Sequence, residues 1–147
     1  HLSIRRQRQM CIRDSGGTSV MWHQDNFYFG LTSDQIVSCA IYFDDTDREN
    51  GCLRVIPQSH LHKKIATHNK NPYGYGHLTQ PDESQAIDVA VPAGTVVLFS
   101  ANLLHGTYEN RSERSRYSTA WHYIPGGLPL ERFPRAGHSD RHSVRGK

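Results

Sequence analysis

No apolar run in this 147-residue chain approaches the ~18 residues needed to cross a bilayer, and the mean hydropathy of −0.65 is that of a polar globular protein. The opening has no hydrophobic leader, because Arg5, Arg6, Arg8 and Arg13 interrupt it. A cytoplasmic protein without a membrane partner is expected. Cysteine is scarce: Cys11, Cys39 and Cys52 form an odd set without metal-ligand spacing, which reads as buried free thiols in a reducing compartment. A basic stripe is also missing. The net charge of +3 comes entirely from residues 1–15, with four arginines against one aspartate, and residues 16–147 balance 13 basic against 13 acidic groups. A nucleic-acid surface is therefore excluded from the expectations. No stretch shows convincing helical periodicity, and no repeat is visible.

Seven short segments have strand character instead. They run over residues 18–23, 36–43, 52–56, 86–91, 95–99, 105–108 and 115–124, with turn signals between them. Along 36–43, Ser38, Ala40 and Tyr42 face one way and Cys39, Ile41 and Phe43 the other. Asp44–Gly51 is a polar turn ending in Asn-Gly. Ala86–Val91 alternates as a half-buried strand should, Thr95–Phe99 reads as a buried strand, and Asn26–Gly30 as an aromatic loop. The Asn-, Gly- and Tyr-rich residues 61–85 read as a long loop, made locally cationic by Lys63, Lys64, His68 and Lys70. The fold class is all-β.

The chemistry concentrates in Trp22-His23-Gln24-Asp25 and Leu104-His105-Gly106. In a strand, residues i and i+2 share a face, so His23 and Asp25 can reach one ion, with His105 arriving from another strand. Two imidazoles and one carboxylate leave coordination positions open, a set suited to iron(II) with a chelating co-substrate and dioxygen; zinc would accept the same ligands. Eleven positions beyond His105 comes Arg116, then Ser118. A guanidinium beside the hydroxyls of Ser118 and Thr107 is what the distal end of a dicarboxylate needs. His60 and His62 read as structural or exposed.

Together, WHQD at 22–25, ENGCLRVIPQSH at 49–60, PAGTVVLFSANLLHG at 92–106 and RSRYS at 114–118 resemble the phytanoyl-CoA dioxygenase family of iron(II)/2-oxoglutarate oxygenases. One departure is Gln58, where the family has Gly in a Pro-Gly-Ser-His turn. The resemblance implies a double-stranded β-helix, a cupin-like jelly roll, incomplete here at the N-terminus. It also implies hydroxylation of a small organic substrate, coupled to decarboxylation of 2-oxoglutarate to succinate with O2. His23, Asp25 and His105 would hold Fe(II); Arg116, Ser118, Thr107 and Tyr42 would hold 2-oxoglutarate; Gln24, Asn26 and Phe27 would line the substrate side. A cupin-like hydrolase or isomerase and a non-catalytic jelly-roll binding module are the alternatives. Asp25 speaks against a halogenase, which gives up the carboxylate ligand to admit halide. The run RQRQMCIRDS at 6–15 resembles translated sequencing-adapter read-through, so 1–15 is expected to be non-native and outside the core. Residues 16–125 are expected to form the oxygenase core and 126–147 an irregular tail.

Overall fold

The computed structural model describes residues 2–13, 17–62, 64–72, 77–130 and 141–143, with the main chain alone for 2–13 and 141–143. Lys63 and residues 73–76 of the long loop, the Cys11 side chain, and most of the tail beyond 130 lie outside that description.

Two antiparallel sheets face each other. The larger contains β1 (Leu2–Arg13), β2 (Val37–Tyr42), β7 (Val96–Ser100), β9 (Arg116–Pro125) and β10 (Arg141–Ser143), in the order β10-β1-β9-β2-β7. The smaller contains β3 (Leu53–Val55), β6 (Ile87–Val89) and β8 (His105–Thr107), in the order β6-β3-β8. A two-stranded ribbon of β4 (Asn69–Lys70) and β5 (His77–Leu78) lies within the long loop. This is the all-β jelly-roll arrangement expected from the alternating segments. The core fills the gap between the sheets: Tyr42 of β2 meets Leu53 and Val55 of β3 and Leu103, with Ala40, Val97 and Phe99 packed against them. A second cluster joins Phe29, Ile36, Ala101 and Ile124, and Leu31, Leu128 and Leu130 close over it. The first part of the expected tail is thus packed onto the body. Cys39 and Cys52 are buried free thiols, as expected, and burial pushes the Cys52 thiol up to about 11.

The main chain of Leu2–Arg13 pairs along β9 from Leu2 opposite Pro125 to Arg13 opposite Arg116, with a register shift between Arg5 and Gln9; whether its side chains stay outside the core, as expected, lies beyond the described residues. Main-chain pairing places few demands on side chains, so this edge accepts almost any extended segment. Three other expectations are corrected. The aromatic loop is instead a short helix, α1 (Asp25–Phe29), closed by Gly30 at φ 73. Left-handed backbone there suits glycine, whose N–H reaches the carbonyls of Asn26 and Phe27. The strand expected to be buried, β7, lies at the sheet edge, with Val96 52% and Leu98 63% exposed. In β6, Ile87 points outward at 51% exposure rather than inward.

Residues 18–23 are extended, but only His23 makes a ladder bridge, to His105. Paired main-chain bonds join His23 and His105 at 2.9 and 3.0 Å, and the Thr107 N–H donates to the Val20 carbonyl at 2.9 Å. The segment so extends the smaller sheet beyond β8. Gly106 makes that closeness possible: a Cβ there would lie 2.8 Å from the Val20 carbonyl oxygen and 3.4 Å from the Trp22 nitrogen. Both obstacles are main chain, so neither can swing aside. Trp22 anchors the same segment, its indole N–H donating to Glu83 Oε1 at 2.8 Å while Arg54 lies over the ring at 4.8 Å.

The Gln58 departure has a structural counterpart. Gln58 adopts φ 64, alone among the described non-glycine residues in the left-handed region. The turn keeps the shape a glycine would take, at a steric cost of about 1 kcal/mol. Gln58→Gly is therefore expected to raise the melting temperature by a few degrees, read by differential scanning calorimetry. Gly106→Ala should act the opposite way. Overpacking against fixed main chain costs roughly 1–3 kcal/mol, so the same measurement should show a fall of several degrees.

Candidate metal centre

His23, Asp25 and His105 each place one ligand atom within 4.8 Å of the others. Three elements deliver them: the extended segment beside β8, the first residue of α1, and the start of β8. His23 and Asp25 therefore do not meet as i and i+2 of one strand; the chain turns into α1 between them and swings the carboxylate back. Asp25 Oδ1 lies 3.5 Å from His23 Nε2 and 3.7 Å from His105 Nε2. The two imidazole rings stand 4.2 Å apart between centroids.

The ring tautomers follow from the neighbours. His23 Nδ1 lies 2.8 Å from the Met21 carbonyl and His105 Nδ1 lies 2.9 Å from the Leu103 carbonyl. A carbonyl oxygen only accepts, so each Nδ1 carries the proton and each Nε2 faces Asp25. Backbone carbonyls behind the rings fix tautomer and orientation in this way at many metal sites. Burial, reinforced by the nearby His23, lowers His105 to about 4. Burial would also lower His23, but the Asp25 carboxylate outweighs it and draws positive charge onto that ring. Burial alone would raise Asp25; the surrounding His105 and His122 instead hold it well below the usual carboxylate range. A buried carboxylate calling for positive charge, with two imidazole nitrogens converging on it, fits a divalent cation.

Arg116 is buried at 2% exposure on the inward face of β9, where its Nη1 donates to Ser118 Oγ at 3.0 Å. Tyr42 stands opposite Ser118 in the β2–β9 register. Thr107 Oγ1 accepts from the Val20 N–H at 2.9 Å, which leaves its own hydrogen to donate. His60 and His62 sit on a 3-10 turn away from the cluster.

Gln24 and Asn26, expected on the substrate side, do a different job. Both are buried, at 1% and 0% exposure. Gln24 Nε2 donates to the Lys64 and Asn102 carbonyls at 3.1 and 2.7 Å, and its Oε1 accepts from Ala66 at 2.8 Å. Asn26 Nδ2 donates to the Ser33 carbonyl and to Asn102 Oδ1, at 2.7 and 2.6 Å. These amides tie α1 to the loop that leads into His105, and so fix Asp25 relative to it. Phe27 is half-buried at the rim, stacked on His68 with centroids 4.2 Å apart and 5.1 Å from His77. His68 accepts the Gln24 N–H on Nε2 at 3.0 Å.

Three contributors escaped the sequence. Asn102 joins the amide clamp, while Ser38 and His122 approach Asp25 Oδ2 at 2.5 and 3.2 Å. Strand alternation already puts His122 on the face of Arg116 and Ser118; nothing in the sequence says that this face meets Asp25.

The family model for phytanoyl-CoA dioxygenase matches residues 6–118. A probable alpha-ketoglutarate-dependent hypophosphite dioxygenase of Stutzerimonas stutzeri is 30% identical over 127 residues, 81% of this chain and 44% of its own length. The phytanoyl-CoA dioxygenase of Arabidopsis thaliana is 26% identical over 112 residues, 74% of this chain and 39% of that protein. Among solved structures, the non-heme monooxygenase ThoJ superposes with a TM-score of 0.74 at 28% identity, over 99% of this chain and 54% of its own. The chain thus spans about half the length of these relatives, or less. With the triad, the buried arginine and the jelly roll in place, the chain belongs to the phytanoyl-CoA dioxygenase family.

Proposed function

We propose that this chain is the catalytic core of an iron(II)/2-oxoglutarate-dependent dioxygenase that hydroxylates a small organic molecule. The observation that carries this reading is the convergence of His23 Nε2, His105 Nε2 and Asp25 Oδ1 between two sheets, with a buried arginine on the inward face of β9. Two imidazoles and one carboxylate would hold Fe(II) on one side and leave the other side open to the co-substrate and O2. When bound, the iron supplies the oxidising chemistry that couples decarboxylation of 2-oxoglutarate to substrate hydroxylation.

The protein's own part is placement and charge. The distal carboxylate of 2-oxoglutarate would pair with Arg116, because a charge taken out of water needs a fixed partner. Ser118 and Thr107 would add hydroxyl hydrogen bonds, and Tyr42, opposite Ser118, would close that side. Phe27 with His68 and His77 would shape the mouth from which the organic substrate enters. The relatives' names run from a hypophosphite dioxygenase to phytanoyl-CoA and ectoine dioxygenases. That range supports a shared centre with the substrate chosen at the rim. The free thiols Cys39 and Cys52 support a reducing, cytoplasmic setting.

Arg116 gives the sharpest test. Anaerobic protein loaded with Fe(II) and titrated with 2-oxoglutarate should develop the weak visible band of the chelate. Arg116→Ala should retain Fe(II) but lose this titration, and Arg116→Lys should need more co-substrate, since an ammonium restores the charge without the planar fork. Asp25→Ala should lose the metal itself. A band that forms equally well without the guanidinium would overturn the co-substrate assignment.

A further inference from the structure

Asp25 has two oxygens in different surroundings. Oδ1 faces the imidazoles of His23 and His105. Oδ2 faces away from them and is met by the Ser38 hydroxyl at 2.5 Å and by His122 Nε2 at 3.2 Å. Ser38 and His122 are cross-strand partners, opposite each other in the β2–β9 register, so one rung of the larger sheet presents both donors together. Neither is a loop residue that could drift: Ser38 is 2% exposed, and the His122 side chain is 12% exposed. The edge of Phe29 packs on the His122 ring with centroids 5.1 Å apart and an interplanar angle of 77°.

The His122 tautomer follows from its partner. A carboxylate only accepts, so Nε2 carries the hydrogen that reaches Oδ2. Its Nδ1 is buried and has no hydrogen-bond partner, so the ring is held in place by the Asp25 contact and by packing. Two donors on one carboxylate oxygen draw electron density and orientation toward it. The other oxygen is left as the one presented to the triad.

We propose that His122 and Ser38 are positioning residues for Asp25, holding Oδ2 from the larger sheet so that Oδ1 alone is offered to the metal. The proposal rests on the metal-centre reading above and adds a purpose to it. A carboxylate free to turn could give both oxygens to one ion and occupy a position that co-substrate or O2 requires. With Oδ2 committed to β2 and β9, that position stays open.

The test uses full-length metal-free protein titrated with Co(II), whose visible absorption reports both affinity and coordination number. His122→Phe keeps ring and volume but removes the donor. It should weaken Co(II) binding roughly 10- to 100-fold, the range for losing a partner behind a metal ligand, and change the band shape. His122→Gln, whose amide nitrogen reaches about where Nε2 lies, should recover most of the affinity and the original spectrum. Ser38→Ala acts on the same oxygen without touching the ring, and should weaken binding in the same direction. If His122→Phe binds within twofold of wild type with an unchanged spectrum, or if Phe restores what Gln does not, the positioning role is overturned in favour of packing. Wild-type protein that takes up no Co(II) would remove the metal-centre reading itself, whereas normal uptake with indifferent variants sinks only this proposal.

Discussion

The structure depends on keeping one carboxylate charged out of water. Asp25 is 13% exposed at its side chain, and isolating such a charge in a protein interior costs several kcal/mol unless it is paired and hydrogen-bonded. Its partners come from four places: the segment beside β8 gives His23, β8 gives His105, β2 gives Ser38 and β9 gives His122. Two belong to the smaller sheet and its extension, and two to the larger. The carboxylate therefore stands where the sheets must close on each other, and any slippage between them would leave its charge unmet. This links the register of the sheets directly to the geometry of the site.

Holding Asp25 at that point is the task of α1, which is too short to be stable alone. Its stability is borrowed from buried amides. Gln24, Asn26 and Asn102 bind one another and the main chain at Ser33, Lys64 and Ala66. Such a network specifies a single arrangement when its members are satisfied, and of these amide groups Asn26 Oδ1 alone is buried without a hydrogen-bond partner. The loop on which it closes, residues 101–102, runs directly into Leu103 and His105. The clamp thus sets the distance between His23 and Asp25 on one side and His105 on the other.

What the sequence disclosed, and what it withheld, follows from the range of the signals. The convergence of His23, Asp25 and His105 was legible because two imidazoles and a carboxylate in that combination point to one another wherever the strands carry them. The sheet architecture was legible because alternation is a local property. The exposure of Val96 and Leu98 was not: an edge strand with apolar residues on both faces has the same pattern as a strand buried on both sides. The helix α1 was missed because five residues are too few to show a 3.6-residue period. Ser38 and His122 were invisible in their role, since their partner lies 13 residues away in one case and nearly a hundred in the other. The bonds of Gln24 and Asn26 to Asn102 were not legible, because their partner lies more than seventy residues away.

The same division between sheet and loop separates the triad from the aromatic side chains around it. The metal-binding set and Arg116 are held by paired strands or by the amide clamp, where a displacement would break many hydrogen bonds at once. Of the surrounding rings, His68 is tied to the clamp, accepting the Gln24 N–H at 3.0 Å. Phe27 and Tyr28 lie on the outer side of α1, and His68 and His77 come from the long loop and its small ribbon. A rigid scaffold carrying variable loops is the arrangement in which chemistry stays constant while recognition drifts. Relatives that match this chain carry names as different as hypophosphite dioxygenase, phytanoyl-CoA dioxygenase and ectoine dioxygenase.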